Sequence, residues 1–463
     1  MKIFLDVTRL ATRVVRSSPS GIDRVEYAYA KRLLDSDDTV CTFTVPVFSG
    51  AIRRSRALDI LSRVERSWRL DDTADDDANY LKLREWLDSP LDLGATRPAR
   101  VCSEASWGSA IREVDLSLLR DIFRAGTRLE RWMARNAGEP AMFLHCSHAQ
   151  LHKPDLFKWL ESAGMRSAFF MHDAIPIDYP EYCSPGSFGR HVQRLTTVSA
   201  HAALVIVNSG YSARTIEAAL RERGARVPDI EVLPLAVGDA FTKVAPAPRP
   251  AHPYFLYVGN IEPRKNLLFL LQIWRRLVER HGARAPRLVV AGRRGWENEN
   301  IIDVLERSRI LAPFLAEASD LTDAGLARLM ADACALVSPS STEGFGLTIV
   351  ESLAAGAPVI ASDISAHREV GADLALFADA IDGPGWIEAI EKLMDEGSGF
   401  RRDRAGQIAA YRPLTWTAHV DAARELMERA LRGGVEATAG LPPLSGGGQP
   451  ISLPFDGGGP GWE

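Results

Sequence analysis

Short, almost entirely apolar segments recur along this 463-residue chain, and helical patterns separate each one from the next. Such segments are typical of parallel strands that are buried on both faces of a sheet. Strands that alternate with helices form βαβ units, so the sequence predicts an α/β chain with a doubly wound parallel sheet in each half. The strands are expected at 2–7, 41–47, 141–145, 167–171, 203–207, 254–258, 287–291, 335–337 and 359–361.

Apolar residues at helical spacing predict the helices between these strands. The first is expected to begin after Ser20, a residue type that caps helix N-termini, and Asp23 adds negative charge to its first turn. The helices are expected at 21–34, 209–223, 267–280, 323–333, 347–355 and 415–431.

A proline-rich connector at 244–253 divides the chain, because its prolines stiffen the backbone and exclude a helix. We therefore predict an N-terminal domain at 1–245, a C-terminal domain at 251–410, and a helix at 411–432 that packs back on the first domain. Glycine and proline make up 15 of the last 31 residues. The tail 433–463 is therefore predicted to be disordered.

The composition excludes several classes of protein. Lysine and arginine number 55 against 60 acidic residues, and 46% of the chain is hydrophobic, so neither a nucleic-acid-binding nor a disordered chain is expected. Five scattered cysteines without CxxC spacing predict free thiols in a reducing compartment.

No apolar run approaches the roughly 18–20 residues that span a bilayer, and Asp6 interrupts the first run too early for a signal peptide. These features predict a cytoplasmic protein.

The first motif follows the strand predicted at 254–258. Gly259 ends that strand, and Arg264 and Lys265 precede a helix that begins near Asn266. Ligands of open parallel sheets lie at such carboxyl strand ends. Two cations beside a helix N-terminus suit a diphosphate. An ordinary solvated Arg-Lys pair is the alternative explanation of this motif taken alone.

The second motif contains two glycines and two glutamates. Gly344 and Gly346 allow backbone N–H groups to approach a ligand closely. Glu343 lies in the loop and Glu351 about one turn into the next helix, so both carboxylates can face one cleft. A carboxylate accepts two hydrogen bonds in a fork, which suits a vicinal diol on a sugar or ribose. A helix-capping acid and a surface acid are the alternative.

Together these motifs resemble the retaining glycosyltransferases of family 4, which have the two-domain GT-B fold. The resemblance depends on Gly259, the 264–266 tripeptide and the 343–351 segment, which occur in the same order. It covers residues 251–400 densely and the first half more loosely. The implied fold is two Rossmann-like, doubly wound domains that face a cleft. One departure is Thr348, where many relatives have proline, and this changes the stiffness of the loop.

The resemblance implies a role for each motif residue. Arg264 and Lys265 would bind the diphosphate of a nucleotide sugar, Glu343 the transferred sugar, and Glu351 the ribose. Because side chains neutralise the diphosphate, neither a metal ion nor a cofactor is expected. Further donor-binding residues are expected at Gly21, Gly259, Gly344, Phe345, Gly346, Leu347 and Thr348.

The first half is expected to supply the acceptor side of the cleft. Gly21 occupies the place of a family loop near the donor phosphates and the acceptor, although a structural turn glycine is an equal alternative. His172 and Asp173 end a strand, and the pattern at 172–182 resembles bacterial mannosyltransferases of surface polysaccharide synthesis. Both residues are therefore expected to face the sugar as catalytic residues, and a purely structural histidine is the alternative.

Two further patterns are considered. His148, in the run 145–148, and His152 have the i, i+4 spacing of a metal pair, but no nearby set of carboxylates or thiolates completes a site, so no metal site is expected. The stretch 53–69 is a basic amphipathic helical pattern that could touch anionic lipids, which would place the chain peripherally at the inner face of the membrane. A solvated helix face is the simpler explanation.

The predicted activity is retaining transfer of a hexose from a nucleotide sugar, with GDP-mannose as the first choice, to a saccharide or lipid-linked acceptor in surface polysaccharide synthesis. Front-side attack is favoured because the sequence offers no dependable carboxylate nucleophile. Two alternatives remain: a glycoside hydrolase that uses Glu343 and Glu351 as its acid and base, and a non-catalytic nucleotide-sugar-binding protein. A dinucleotide oxidoreductase is disfavoured because no GxGxxG follows either first strand.

Overall fold

The structure is a computed structural model that describes residues 1–45, 48–102, 127–129, 140–395 and 397–433. The tail predicted to be disordered lies outside the described residues, apart from Gly433.

Fifteen strands lie within the described residues. In chain order they are β1 (Lys2–Asp6), β2 (Thr39–Val45), β3 (Phe48–Ala51), β4 (Ala99–Val101), β5 (Thr127–Arg128), β6 (Ala141–His145), β7 (Arg166–Met171), β8 (Ala202–Val207), β9 (Asp229–Val232), β10 (Tyr254–Val258), β11 (Arg287–Ala291), β12 (Leu315–Ala318), β13 (Leu336–Ser338), β14 (Val359–Ser362) and β15 (Ala375–Ala378).

Helices surround and connect the strands. The α-helices in the described residues are α1 (Thr8–Ala11), α2 (Gly21–Leu33), α3 (Arg54–Trp68), α4 (Ala78–Asp88), α5 (Trp159–Ser162), α6 (Ile175–Asp178), α7 (Ser187–His201), α8 (Gly210–Glu222), α9 (Asp239–Thr242), α10 (Leu267–His281), α11 (Glu299–Arg307), α12 (Asp323–Asp332), α13 (Leu347–Ala354), α14 (Ser365–Gly371), α15 (Gly383–Met394), α16 (Gly399–Ile408) and α17 (Trp416–Arg432). Short 3₁₀ turns occur at Ala74–Asp76, Pro154–Phe157, Pro180–Tyr182, Pro263–Lys265, Gly282–Arg284 and Ala312–Phe314.

The strands form two sheets. The first has eight strands in the order β5-β3-β2-β1-β6-β7-β8-β9, and the second has seven in the order β15-β14-β13-β10-β11-β12-β4. All described pairs in the second sheet are parallel, whereas β2, β3 and β5 pair antiparallel at one edge of the first. The predicted fold class, with one doubly wound α/β sheet in each half, is confirmed.

All nine predicted strands are present, and their ends shift by at most two residues. Residues 46–47 of the predicted second strand lie outside the described residues. Strand β9 was not predicted, because Asp229 and Glu231 interrupt its apolar pattern. Strand β15 was missed although residues 374–378 are all apolar. Strand β12 was also missed, because the buried Glu317 interrupts its apolar pattern.

The start of α2 follows the sequence closely. Ser20 Oγ accepts a hydrogen bond from the Asp23 backbone N–H at 3.3 Å, and Asp23 Oδ2 accepts one from the Ser20 N–H at 2.9 Å. This reciprocal capping box satisfies N–H groups that have no partner within the helix. The predicted N-cap at Ser20 is confirmed.

One segment of the first half joins the second sheet. Strand β4 pairs with β12 in parallel, and α4 contacts β4, β12 and α12. Asp77 fixes this segment, because its buried carboxylate accepts hydrogen bonds from the Thr322 backbone N–H at 2.7 Å and hydroxyl at 2.9 Å. The predicted first domain includes all residues up to 245. The sequence did not reveal that β4 and α4 pack with the second sheet.

Helix α17 lies against α2 of the first half. His419, which is fully buried, accepts a hydrogen bond at Nε2 from the Tyr29 hydroxyl at 3.0 Å, and its Nδ1 lies 2.8 Å from the carbonyl oxygen of Pro234. The last described helix therefore attaches the end of the second half to the first.

The basic helix predicted at 53–69 is α3. Its apolar side is buried, including Ile60, Leu61 and Val64, and on its polar side Arg63 pairs with Asp59 at 3.2 Å. A contact with lipid stays a prediction. Within the part of the chain that the structure describes, no helix has both the length and the apolar character needed to cross a bilayer.

Candidate functional site

The candidate site lies where the order of strands in the second sheet reverses. Strand β10 has β11 on one side and β13 on the other, so the connections after β10 and β13 leave in opposite directions. Crevices at such carboxyl ends bind ligands in open α/β sheets. The loop after β10 carries Arg264 and Lys265, and the loop after β13 carries Glu343.

Glu343 holds both cations of the first motif. Arg264 Nη1 lies 2.7 Å from Glu343 Oε2, while Lys265 Nζ pairs with Glu343 Oε1. The Ser340 hydroxyl also donates to Oε1, at 2.8 Å. Burial opposes ionisation here, but the Arg264 and Lys265 charges hold the pKa of Glu343 well below its usual range. Glu343 is therefore a carboxylate at any working pH.

Glu262 is a site residue that the sequence analysis missed. Its Oε1 accepts a hydrogen bond from Arg264 Nη2 at 2.8 Å, and burial raises its pKa. Arg264 Nη1 also donates to the Thr342 carbonyl oxygen at 3.0 Å. Arg264 is thus clamped between two loops. An acid two residues before an Arg-Lys pair is the signal that could have revealed Glu262.

Gly344 brings the Glu343 loop against the first half. A Cβ at this position would lie 2.6 Å from the His172 carbonyl oxygen and 2.9 Å from Asp173 Cβ, so a larger residue does not fit. The Ser209 hydroxyl, at the start of α8, donates to the Gly344 carbonyl oxygen at 2.6 Å. The structure therefore brings the residues predicted as catalytic in the two halves to one place.

His172 is buried and neutral. Its Nε2 lies 2.9 Å from the Cys146 carbonyl oxygen, which can only accept, so Nε2 carries the proton. Burial lowers the pKa of His172 to about 4. Asp173 is half-buried, and its Oδ1 accepts a hydrogen bond from the Ile175 backbone N–H at 3.1 Å.

Glu351 lies on α13 beside a cation from the first half. Arg24 Nε is 4.0 Å from Glu351 Oε1, and Arg24 also forms a two-point ion pair with Asp323 at the start of α12. Burial raises the pKa of Glu351 to about 7, although Arg24 opposes the shift. Arg24 and Asp323 were not predicted as site residues.

The other predicted donor residues surround the start of α13. Gly346 has a φ of 101°, which favours glycine, and Leu347 begins the helix. A Cβ on Gly21 would lie 3.8 Å from Leu347 Cδ2, so Gly21 faces the start of α13 from the first half.

Among the remaining predicted donor residues, Phe345 is buried and Thr348 is half-buried. Gly259, with a φ of 157°, lies beside the Lys265 side chain.

His367 is a further residue that the sequence did not indicate. It is fully buried on α14, and its Cδ2 would lie 3.3 Å from a Cβ on Gly346. Its Nδ1 is 3.1 Å from the Ser362 carbonyl oxygen. Burial lowers the pKa of His367 to about 4, so a neutral imidazole supports the Glu343 loop.

The described residues contain no group of three or more His, Cys, Asp or Glu side chains that could hold a metal ion. His148, one member of the i, i+4 pair, contacts other histidines instead. Its ring centroid lies 5.2 Å from that of His172 and 5.9 Å from that of His191.

Comparison with known proteins finds a family match for part of the chain. The family model for group 1 glycosyl transferases matches residues 252–396. O-antigen chain mannosyltransferase B of Escherichia coli is 38% identical over 163 residues, covering 35% of this chain and 42% of that protein. O-antigen chain mannosyltransferase RfbU of Salmonella typhimurium is 32% identical over 153 residues, covering 32% of this chain and 41% of that protein. The chain thus spans less than half the length of these curated relatives.

Solved structures support the fold. HepE of Anabaena, in complex with UDP and glucose, is similar over 92% of this chain and 99% of its own, with a TM-score of 0.57 and 13% identity. The apo structure of OtsA has a TM-score of 0.51 and 14% identity, covering 66% of this chain and 76% of its own. The family model covers every motif residue of the second half. Residues 252–396 therefore carry the features of the group 1 glycosyl transferases, and over part of its length the chain is similar to bacterial O-antigen mannosyltransferases.

Proposed function

We propose that this chain is a retaining glycosyltransferase that moves a hexose from a nucleotide sugar to a saccharide or lipid-linked acceptor in surface polysaccharide synthesis. GDP-mannose is the first choice of donor, because the two curated relatives described above are O-antigen mannosyltransferases. The observation that carries the proposal is the meeting of the Arg264–Lys265–Glu343 cluster with the His172–Asp173 loop across the two halves.

The two cations are suited to the leaving group. Cleavage of the anomeric bond leaves negative charge on the diphosphate, and fixed cations stabilise such charge best when they need no reorganisation. Arg264 is held by Glu262, Thr342 and Glu343, so its position does not depend on the ligand. In the proposed reaction Arg264 and Lys265 bind the departing diphosphate.

Glu343 is proposed to orient the hydroxyl groups of the transferred sugar. A residue that stays ionised accepts hydrogen bonds and does not donate a proton, so Glu343 is suited to this role and not to that of a general acid. The proposed reaction is front-side attack, in which the departing phosphate accepts the proton of the acceptor hydroxyl as the new glycosidic bond forms.

Glu351 is proposed to bind the ribose, and closure of the two halves to exclude water from the reacting sugar. Contacts that already join the halves support such a closed arrangement. Glu369 of α14 accepts a hydrogen bond from the Gly210 backbone N–H at 2.7 Å, and Arg24 pairs with Asp323.

Turnover of radiolabelled nucleotide sugars tests the proposal. The protein is incubated with GDP-mannose or UDP-glucose, with and without mannose-terminated oligosaccharides, and the labelled products are separated. We expect acceptor-dependent transfer with retention of anomeric configuration. Cleavage of oligosaccharides without any nucleotide would instead support the hydrolase, and nucleotide binding without turnover would support the non-catalytic alternative.

A further inference from the structure

A second group of cations lies apart from the Arg264–Glu343 cluster. Arg9, Arg13 and Arg16 come from the segment after β1, and Arg293 comes from the loop after β11. We call these four residues the arginine cluster.

A buried carboxylate fixes two members of the arginine cluster. Arg9 Nε lies 2.6 Å and Arg13 Nε 3.2 Å from the same oxygen of Asp23, which is fully buried. Arg9 Nη2 also donates to the Ser20 hydroxyl at 3.2 Å. Both arginine side chains keep 19% of their surface exposed. Asp23 thus holds two guanidinium groups in place while part of each stays open to a ligand.

The fourth member joins the cluster from the second half. Arg293 Nη2 lies 2.5 Å from Asp320 Oδ1 and donates to the Ser17 hydroxyl at 2.8 Å. The Ser17 hydroxyl in turn donates to Asp320 at 2.7 Å. Since Ser17 directly follows Arg16, this contact fixes the loop that carries Arg16 against the second half.

Arg16 contacts no carboxylate group in the part of the chain that the structure describes. Within the described residues its side chain forms no hydrogen bond or ion pair, and it is half-buried. Burial and the neighbouring Arg13 and Arg293 charges lower the pKa of Arg16, and burial with the Arg9 charge lowers the pKa of Arg13. The guanidinium groups therefore repel one another.

The cluster carries an excess of positive charge. Among the described residues, Asp23 and Asp320 supply the carboxylates that contact the cluster, so the four guanidinium groups outnumber these partners by two. Glu26 lies nearby, but burial raises its pKa to about 8, so near neutral pH it is mostly protonated. A phosphate monoester carries about −1.5 to −2 charges near neutral pH, which matches this excess.

We propose that the arginine cluster binds a phosphate or diphosphate group of the acceptor. Guanidinium forks suit phosphate oxygens, because two N–H groups can bind two oxygens at once. The assignment to the acceptor rests on the proposed function, in which Arg264 and Lys265 bind the donor diphosphate. It is supported by position, since three of the four residues lie in the first half and Arg9 is an electrostatic neighbour of His172.

Calorimetric titration tests the site. Mannose 6-phosphate and geranyl diphosphate are titrated separately into protein saturated with GDP, with mannose and geraniol as uncharged controls. The two probes distinguish a phosphorylated sugar from a lipid-linked diphosphate. We expect at least one phosphorylated probe to bind and to lose about tenfold or more in affinity in Arg16→Gln, the loss that removal of a charged hydrogen bond produces. Arg16→Lys is expected to restore part of the affinity.

Two matched variants make the outcome decisive. Lys265→Ala removes a cation of the proposed donor site and is expected to leave binding of the phosphorylated probe unchanged. Arg276→Ala is expected to do the same, because the Arg276 side chain is 73% exposed on α10. Unchanged affinity in Arg16→Gln, with an unchanged melting temperature, would overturn the site. Loss of affinity in Lys265→Ala alone would also overturn it, because the anion would then occupy the donor site. Binding that depends on Arg16 in a protein without transferase activity would leave the anion site standing and overturn its assignment to an acceptor.

Discussion

At the scale of single residues, Glu343 and Glu351 show how position controls ionisation. They are eight positions apart in one motif, and both are buried. Glu343 contacts two cations, which keep it ionised. The cation of Arg24 lies 4.0 Å from Glu351 and is shared with Asp323, so burial dominates and the pKa of Glu351 is raised to about 7. Identical side chains in one motif are thus suited to different tasks.

The cation cluster gives a direct test at this scale. Lys265→Ala removes one charge that would face the diphosphate, while Arg264 still pairs with Glu343. Loss of one preorganised group that stabilises developing charge lowers turnover by about 10²–10³-fold, and we expect a decrease of that size in the initial rate of transfer. Circular dichroism is expected to show an unchanged fold. Arg276→Ala is the control, and wild-type turnover in Lys265→Ala would contradict the assignment of the site.

Glu351 predicts a dependence of stability on pH. Its pKa is raised from 4.5 to about 7 on folding, so the folded state binds the proton more tightly than the unfolded state. By linkage, the contribution of Glu351 to the free energy of unfolding is greatest below pH 4.5 and falls as the pH rises towards 7. Above pH 7 this contribution is constant. Glu351→Gln keeps the uncharged form. As the pH rises from 4.5 to 7, the melting temperature of this variant should therefore rise relative to that of wild type. The corresponding change in the difference between their free energies of unfolding is at most about 3 kcal/mol. A difference that does not vary with pH would show that Glu351 does not titrate in this range.

At the scale of elements, the loop after β13 depends on close contact with the loop after β7. Ser209 and Ser212 both donate to the Gly344 carbonyl oxygen, at 2.6 and 3.2 Å. Both hydroxyls lie in the first turn of α8, and Ser209 also caps that helix. The helix start in the first half therefore positions the residue that follows Glu343.

Gly344→Ala tests this contact. The added methyl group would lie 2.6 Å from the His172 carbonyl oxygen, so the two loops must separate. A small misplacement of reacting groups lowers rates by about 100-fold, and we expect a decrease of that order in kcat. Gly406→Ala is the matched control. It lies within α16, where an added Cβ would meet no atom from outside the helix backbone within 4 Å, so this variant should keep wild-type activity. Equal activity in the two variants would show that the loop contact is dispensable.

At the scale of the whole molecule, contacts distant in sequence join the two halves. The chain crosses from the first half to the second at β4, before the proline-rich connector, and returns at α17. The division into domains at 1–245 and 251–410, with a helix at 411–432 and a tail at 433–463, stays a prediction. The halves therefore exchange segments in both directions.

Tyr29→Phe tests the return of α17. The change leaves His419 Nε2 as a buried acceptor without its donor, which costs about 1–3 kcal/mol. We expect a decrease of this size in the free energy of unfolding, measured by urea denaturation. Tyr27→Phe, two residues earlier on the same helix, removes a hydroxyl that contacts the partly exposed Glu65 and should destabilise less. A larger loss in Tyr27→Phe would contradict this role of α17.

Local pattern in the sequence was enough to predict nine apolar strands, the N-cap at Ser20 and the motif residues after β10 and β13. These features depend on side chains close together in the chain, where apolar periodicity and strand-end glycines are visible. Short or polar strands were missed because their burial comes from neighbours far away in sequence. Strand β4, for example, has a single buried residue, Val101, and is recognised as a strand by its pairing with β12.

The sequence by itself determined the fold class and the positions of the motif residues that we propose bind a nucleotide sugar, since periodicity and motif spacing are local properties of the chain. The tertiary structure alone decided what those residues contact: Glu262 beside Arg264, Arg24 beside Glu351, and Arg293 beside the loop of Arg16. Charge interactions depend on distance and burial, and both are fixed only when elements far apart in the chain pack together.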